Sequence, residues 1–513
     1  MKGLASDSAS IPREIADFFN KPGGRSLIVK GAPGTGKTTF ALQLLEELGK
    51  PNKSFYLSTR VSDEALYNQF PWLRDTDMKN RIVDSSRMLL EALCPVGSDE
   101  EEIVESKKIT ATRVKAAKGF LKSISSGEMA PPSKVDRTRL KVITERIRMP
   151  EIERIYDCIE RALPDKSILI VDSIEGVTHK YGIDMDEFIN CLQKDLVEGS
   201  NTDVLLVLEK ADAPSLEYLV DGVISLTSEL YNERRVRHMK LAKLRATEIR
   251  QPSYLLSLKG GRFTGFNSFV PNHLKAGTWQ VVADPAGHYS TGIADLDALL
   301  GGGYAVGSYN VLEVDENVSS EEYYMVVRPI LLNFMSQQKG IVAVLTGGDH
   351  ADAMRKDLTR FIPAEQFDKY VRIADYFQQR TDMPYVMALA RPKEEAFKIW
   401  KQNLEHLRGA EGRPIIDYAG FDTLEYLQGG EVAIRNLFDA VAKIKISKDM
   451  GIGILKPGLK LRQEILNMAD TFIRISSIDK RPCIYGVKPK TIIHAMVSDE
   501  EKGPPYVKLV PIV

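Results

Sequence analysis

The sequence predicts an α/β protein of two domains, each a mostly parallel sheet flanked by helices. Three observations lead there. Short apolar runs alternate with helical patterns, which is how parallel strands joined by crossover helices read in sequence. The second half of the chain repeats the order of the first. A glycine-rich phosphate loop follows directly on the first apolar run. The length of 513 residues, against roughly 150 for a typical domain, leaves room for two large domains.

In the first half the strand-like runs are Arg25-Ser-Leu-Ile-Val-Lys30, Ser54-Phe-Tyr-Leu57, Ser167-Ile-Leu-Ile-Val171, Asp203 to Leu208 and Gly222-Val-Ile-Ser-Leu226. In the second half they are Ser308-Tyr-Asn-Val-Leu-Glu313, Gly340-Ile-Val-Ala-Val-Leu345, Arg413-Pro-Ile-Ile-Asp417, Gly451-Ile-Gly-Ile-Leu455 and Asp470-Thr-Phe-Ile-Arg-Ile475. Pro271, Gly277, Pro285 and Gly287 lie in a weakly periodic stretch, so the expected organisation is a first domain over 1–265, a linker over 266–287 and a second domain over 288–513. A charged helical insertion at about 99–148 interrupts the first domain. It opens with Asp99, Glu100, Glu101, Glu102 and Glu105, then turns basic, with 12 Lys or Arg against three acids from Lys107 to Arg148.

Composition narrows the function classes. Apolar residues make up 43% and charged residues 27%, which excludes a wholly disordered, collagen-like or membrane-embedded chain. Lys plus Arg (69) nearly cancels Asp plus Glu (70), so any basic surface is local. No apolar run approaches the roughly 20 residues needed to span a bilayer, and the start carries no secretory signal. Cys94, Cys158, Cys191 and Cys483 form no metal-type pair, and neither they nor the seven histidines show metal-ligand spacing. A cytoplasmic protein with reduced thiols and no membrane association is expected.

The loop Gly31-Ala32-Pro33-Gly34-Thr35-Gly36-Lys37-Thr38-Thr39 fits the phosphate-loop pattern in full. Its glycines let successive backbone N–H groups turn inward on phosphate oxygens, and the following helix adds its positive end. Lys37 offers a point charge to the β- and γ-phosphates, and the Thr38 hydroxyl a ligand to Mg²⁺. The second Mg²⁺ oxygen belongs at the end of a neighbouring buried strand, where Asp172 closes Ser167-Ile-Leu-Ile-Val-Asp172. ATP with Mg²⁺ is the cofactor expected. Ser173 and Glu175 follow within reach, Ser173 as a group able to orient water or sense the γ-phosphate.

These residues resemble the RecA/KaiC group of P-loop ATPases. Tyr218-Leu-Val-Asp221-Gly222-Val-Ile224 resembles a late-strand motif of KaiC domains, and Lys240-Leu-Ala-Lys243-Leu244-Arg245-Ala-Thr247 resembles their Lys-Leu-Arg strand. The resemblance implies a homo-oligomer, such as a hexamer-like ring, in which Lys243 and Arg245 reach the γ-phosphate of the adjacent subunit as catalytic fingers. Ser290-Thr291-Gly292-Ile-Ala-Asp-Leu296-Asp297-Ala-Leu299-Leu300-Gly301-Gly302-Gly303 resembles the entry segment of a KaiC-type domain. Within this group the first domain looks closest to the P-loop domain of the archaeal GvpD family. The resemblance rests on Ile11-Pro-Arg-Glu-Ile-Ala-Asp-Phe-Phe19, Tyr56-Leu-Ser-Thr-Arg60-Val-Ser and Gln69-Phe-Pro-Trp-Leu73. It implies an ATP-binding regulatory protein that acts on protein partners.

Two departures bear on mechanism. KaiC-like domains carry a catalytic Glu at the end of the second strand, where this chain reads Thr59-Arg60. The nearest acids are Asp63, Glu64 and, after Asp172, Glu175, which is the candidate substitute base. In the second domain Val314-Asp315-Glu316-Asn317-Val318-Ser319-Ser320-Glu321 stands where the phosphate loop belongs, so that domain is expected to be a degenerate copy without nucleotide. Asp417 and Asp422 are then expected to be structural or surface residues. The expected function is a weak ATPase or nucleotide switch controlling a partner protein. The alternatives are a DNA-binding RecA-family paralogue, permitted by the basic insertion and by Arg234-Arg235-Val-Arg237, and a scaffold that binds ATP without turning it over. No aromatic-interleaved basic groove or helix-turn-helix signal accompanies those basic residues.

Overall fold

The computed structural model describes residues 7–50, 53–74, 82–84, 134, 135, 137–211, 214–271, 276–379, 382–499, 502, 503 and 505–513. Most of the charged insertion, 99–133 and 136, lies outside these residues, as does Cys94. The chain divides into two compact units. One comprises Ala9–Glu229 and Arg237–Gly265. The other comprises Met1–Ser8, Leu230–Val236 and Phe266–Val513.

In the phosphate-loop unit the strands are β1 (Ser26–Gly31), β2 (Ser54–Ser58), β3 (Ile82–Asp84), β4 (Ile168–Asp172), β5 (Asp203–Leu208), β6 (Gly222–Tyr231), β7 (Arg234–Leu244), β8 (Ser253–Ser257) and β9 (Thr264–Phe266). They lie in the order β3-β2-β4-β5-β1-β6-β7-β8-β9. Pairing is parallel from β3 through β6, with β1 between β5 and β6. Between β7 and β8 it is antiparallel. Residues alternate between two apolar clusters: Leu27, Val29, Ile170, Leu205 and Val207 enter one, and Ile28, Leu169, Val171, Leu206 and Leu208 the other. Burial of both faces explains why these strands read as unbroken apolar runs. Helices α1 (Lys37–Leu48) and α2 (Ile174–Tyr181) start at the ends of β1 and β4.

The second unit contains β10 (Tyr309–Val314), β11 (Gly340–Val344), β12 (Val371–Asp375), β13 (Val386–Ala388), β14 (Ile415–Gly420), β15 (Met450–Leu455), β16 (Thr471–Ile478), β17 (Arg481–Lys488), β18 (His494–Ser498) and β19 (Val507–Pro511). Their order is β13-β12-β11-β14-β15-β10-β16-β17-β18-β19. Setting β10 against β1 and β11 against β2 makes the two orders coincide strand for strand, apart from one edge strand in each sheet, β13 in the second and the short Ser8–Ala9 beside β9 in the first. The helices used below are α3 (Ser320–Ser336), α4 (Lys393–Arg408), α5 (Phe421–Gln428) and α6 (Gly430–Ser447).

All ten apolar runs named above are strands, and the mixed α/β class with mostly parallel sheets is borne out. The stretch 266–287 departs from its linker-like composition. It belongs to the second unit, where Trp279 is buried in the core and donates to Asn333 Oδ1 at 3.3 Å. The same oxygen accepts from Val282 N at 2.8 Å. Among its described residues Phe269 N also donates to Lys480 O at 2.8 Å and Gly277 N to Arg360 O at 3.0 Å. Among the described residues no helix is long and apolar enough to cross a membrane.

Candidate functional site

Strand β1 ends where it can present a loop. It is buried on both sides and its last residue is Gly31, where a Cβ would lie 2.3 Å from Leu226 O. Only glycine lets the chain leave the sheet so close to β6. Gly36 has φ of +100° and a Cβ there would sit 2.9 Å from Leu258 Cδ1, so both conformation and space require glycine. Gly36 is also the N-cap of α1 and offers no side-chain acceptor, so no side chain claims the first backbone donors of that helix. They point into the loop and are available to an anion.

Lys37 folds back over the loop. Its Nζ donates to Gly31 O at 2.7 Å and Ala32 O at 2.9 Å. Thr35 Oγ1 closes the turn by donating to Ala32 O at 2.9 Å. Desolvation lowers the pKa of Lys37, while the carboxylates of Glu209, Asp172 and Glu175 act in the opposite direction. Sequence spacing alone does not bring these three acids together. They sit at or beyond the ends of adjacent parallel strands, and the order of the sheet places them beside one another.

Asp172 and Thr38 meet as the sequence suggests: Thr38 Oγ1 donates to Asp172 Oδ2 at 2.8 Å. The buried Tyr56 hydroxyl donates to the same oxygen at 2.5 Å. Burial raises the pKa of Asp172, opposed by the hydrogen bonds from Tyr56 and Thr38 and by the charge of Lys37. Beside it, Ser173 is buried and its Oγ has no hydrogen-bond partner among the described residues. These groups fit Mg-ATP. The phosphates need the open helix donors and Lys37, the ion needs the two oxygens of Thr38 and Asp172, and Ser173 Oγ is a polar group waiting for a partner. The described residues contain no cluster of three or more His, Cys, Asp or Glu suited to a metal. Any octahedral ion on Thr38 and Asp172 would complete its shell with phosphate and water oxygens.

The other candidates fall elsewhere. Glu175 Oε1 accepts from the backbone N–H groups of Glu209 (2.7 Å) and Lys210 (3.2 Å), so this oxygen is engaged in holding the end of β5. Its second oxygen, Oε2, is buried without a partner. Lys243 and Arg245 sit at the opposite end of the sheet. Lys243 Nζ donates to Glu217 O at 3.0 Å and Val220 O at 2.7 Å. Arg245 pairs with Asp221 at 2.9 Å, and Asp221 in turn accepts from Ser26 at the start of β1. The loop follows the end of β1, a strand length of about 17–20 Å away. Within one chain these two cations do not approach the phosphate loop, and the Arg245 side chain is 60% exposed.

Three residues join the site that the sequence does not assign to it, although Arg237 stands in the basic run considered for DNA and Tyr56 in a resemblance motif. Tyr56 buttresses Asp172. Arg237, on β7 and 7% exposed, donates to Gly34 O at 2.6 Å and braces the loop tip. Glu209 pairs with Arg60 at 2.6 Å. It follows the run Asp203–Leu208 as Asp172 follows Ser167–Val171, so the same strand-end signal marks it. At the expected glutamate position Thr59 ties β2 to β4. Its N–H donates to Asp172 O and its Oγ1 accepts from Ser173 N, both at 2.9 Å.

The counterpart in the second unit is closed. Between β10 and α3 there is no glycine nest. Ser319 caps α3, and Glu322 Oε2 accepts from both Ser319 N and Ser319 Oγ at 2.7 Å. Asp315 accepts from Ser476 Oγ, and Glu313 is held by Arg462 and Arg474.

Comparison with known proteins agrees with this arrangement. A family model described as the GvpD gas vesicle protein P-loop domain matches residues 15–104 and 135–245, breaking within the charged insertion. A second, GvpD basic region 2, matches residues 278–383. Protein GvpD2 of Halobacterium salinarum is 25% identical over 521 aligned residues, covering 98% of this chain and 97% of its own. Protein GvpD1 of the same organism is 23% identical over 562 residues, covering 98% and 96%.

Proposed function

The chain belongs to the GvpD family, and from that premise we propose that its first unit is an ATP-dependent switch whose nucleotide state is read by a protein partner. Lys37 carries the reading: a partly desolvated ammonium is held on the loop's own carbonyls beside an uncapped helix N-terminus. A triphosphate arriving at Gly31 to Thr39 offers Lys37 better acceptors than two neutral carbonyls. Thr38 and Asp172 would hold the Mg²⁺ that neutralises the phosphates. Asp172, ordinarily disfavoured as an anion by its burial, gains a cation that keeps it ionised.

Turnover is slow on this reading. Glu209 is paired with Arg60, and Glu175 gives one oxygen to backbone N–H groups and has the other buried, so neither offers a carboxylate oxygen that is both unpaired and open to water. Lys243 and Arg245 can meet a phosphate only from a neighbouring copy, which makes efficient hydrolysis conditional on assembly. The matched family is described as a gas vesicle protein, so we place the regulated partner among proteins of that system.

The test is titration of the full chain with a fluorescent ATP analogue and Mg²⁺, alongside phosphate release. Wild type should bind. Lys37→Ala should weaken binding by about 100-fold, the equivalent of two or so charge-assisted hydrogen bonds. Equal binding by both proteins would remove the nucleotide reading. Binding without release in any assembly state would leave the scaffold alternative. A mass measurement with and without Mg-ATP tests the role of Lys243 and Arg245, since an unchanged mass gives them no adjacent phosphate to reach.

A further inference from the structure

The second unit holds a large cavity that the phosphate chemistry does not use. In the first unit one continuous apolar cluster covers the sheet face that carries Ile28, Leu169 and Leu206. The matching face of the second sheet is covered by two separate clusters. One contains Tyr309, Val311, Phe421, Leu437 and Ile444, and the other Val342, Val344, Leu407 and Ile415. Between them, under α4, α5 and α6, lies a cavity of about 740 Å³. That falls within the roughly 300–1,000 Å³ of small-molecule sites.

Its floor is one row of residues across four strands. Tyr309 on β10 and Asp417 on β14 both pair with Gly451 on β15, and Val342 on β11 pairs with Asp417. Glycines make the row possible. A Cβ on Gly451 would meet the Tyr309 ring at 2.3 Å, and one on Gly453 would meet the Tyr309 hydroxyl at 2.7 Å. The tyrosine therefore lies flat over β15 and its hydroxyl stays at the floor, where it has no hydrogen-bond partner although the residue is only 2% exposed.

Asp417, half-buried, is the second available acceptor. Sequence reading assigns it a structural or surface role, but it lines the cavity and makes no hydrogen bond or ion pair with its side chain among the described residues. The neighbouring charges are Asp439, Asp449, Arg408 and three lysines. Asp449 is neutralised by Arg408 and accepts from Ile415 N at 2.9 Å. Lys443, Lys393 and Lys401 lie on exposed faces of α6 and α4 around the rim. The walls are apolar: Trp400 and Leu404 from α4, Leu424 from α5, Leu437 and Ala440 from α6. The Tyr309 phenol is buried without a partner, and Asp417 beside it is half-buried with an uncommitted carboxylate, so both can accept from an occupant that brings donors.

We propose that this cavity binds a small amphipathic amine, its apolar body against Trp400, Leu404 and Leu437 and its protonated nitrogen donating to Asp417 and Tyr309. The chemistry of the floor selects the class. A carboxylate and a phenolic oxygen accept N–H donors, and apolar walls of this size accept a ring system or short alkyl body. An anion of the same shape would meet Asp417 head-on. The site stands apart from the phosphate loop and holds whether or not that loop binds ATP.

Trp400 provides the readout. The full chain is titrated with 4-nitrobenzylamine, whose nitroarene ring quenches tryptophan on contact, and with (4-nitrophenyl)acetate as the anionic control. Saturable quenching by the amine, at least about 10-fold tighter than by the acetate at pH 7.5 and absent in Trp400→Phe, is expected. Asp417→Asn should weaken the amine about 10-fold or more. Ala440→Leu, which fills the chamber from α6, should abolish quenching with thermal unfolding unchanged. Lowering the pH through about 6 should release the amine as Asp417 takes its proton, in a chamber that Tyr309, Tyr376, Asp439, Asp449, Arg408 and the rim lysines also face. Lys37→Ala should bind the amine as wild type does, which separates this site from the loop. Equal affinity for amine and acetate, undiminished binding by Asp417→Asn or Ala440→Leu, or no saturable quenching of Trp400 would overturn the proposal. So would a concentration-dependent mass shift that Ala440→Leu abolishes, since that assigns the chamber to a second copy of the chain.

Discussion

The phosphate loop after β1 and the turn after β10 occupy the same place in two sheets of the same strand order, yet one is open to an anion and the other is closed. Around Gly36 the first helix begins with no side-chain acceptor near its N–H groups. At Ser319 the second begins with a capping box that uses those donors internally. Elsewhere the pattern is similar. β4 ends on Asp172, which accepts from Thr38 and Tyr56, whereas β14 ends on Ala419 and Gly420 and carries its acid three residues earlier, facing a cavity. A shared fold supplies positions, and what stands at those positions decides whether they bind.

The sharpest break in that symmetry is Lys37→Ala, which should cost about 100-fold in nucleotide affinity by fluorescence titration. The reciprocal change, Glu316→Gly with Glu321→Lys, should leave stoichiometry at one nucleotide per chain by calorimetry, because Ser319 and Glu322 still hold the helix start. A second nucleotide bound by that variant would show that charge alone closes the turn.

Next in size is Asp417. Burial raises its pKa from 3.8 to about 6, so the folded state holds its proton more tightly than the unfolded state. The stability that comes with the protonated acid is therefore fully present below about pH 4 and lost as pH rises through about 6. At 1.36 kcal/mol per unit, Asp417→Asn should stabilise the chain by up to about 3 kcal/mol at pH 7.5, with the gain shrinking toward zero at pH 4. Urea unfolding of both proteins across that range measures it. A constant difference would mean that Asp417 does not titrate between those limits.

Gly36→Ala comes third. It forces a left-handed backbone on a Cβ and presses on Leu258, so about 1–2 kcal/mol of stability and most nucleotide binding should go together. Ser319→Ala is the smallest, removing the cap of α3 for about 1 kcal/mol without touching nucleotide affinity. If Ser319→Ala also weakened nucleotide binding, the two loops would be coupled.

Much of the site was legible because its chemistry is local. Gly31 to Thr39 lie in one stretch, and Asp172 is announced by the four apolar residues before it. Glu209 carries the same announcement just after β5, but the motif comparison points to Thr59-Arg60 at the end of β2, whereas Glu209 acts on Lys37 from the neighbouring strand end. Arg237 and Tyr56 give no signal for this site: the basic run Arg234-Arg235-Val-Arg237 points in sequence to nucleic acid, whereas Arg237 donates to Gly34 O, and an aromatic in a buried run has an ordinary explanation. Asp417 reads as a structural or surface residue in a degenerate domain, and only the packing around it shows that it lines a cavity.

What the sequence determined by itself was the set of elements, their parallel character and the loop that grips phosphate. Apolar run length, helical spacing and glycine placement are properties of neighbouring residues. Tertiary structure alone decided which strand ends stand side by side, and so which carboxylates surround Lys37 and which cations lie a sheet's length away. It also decided that the helices over the second sheet leave a chamber above Asp417, because void space is set by how side chains from α4, α5 and α6 fail to meet, and no single segment records that.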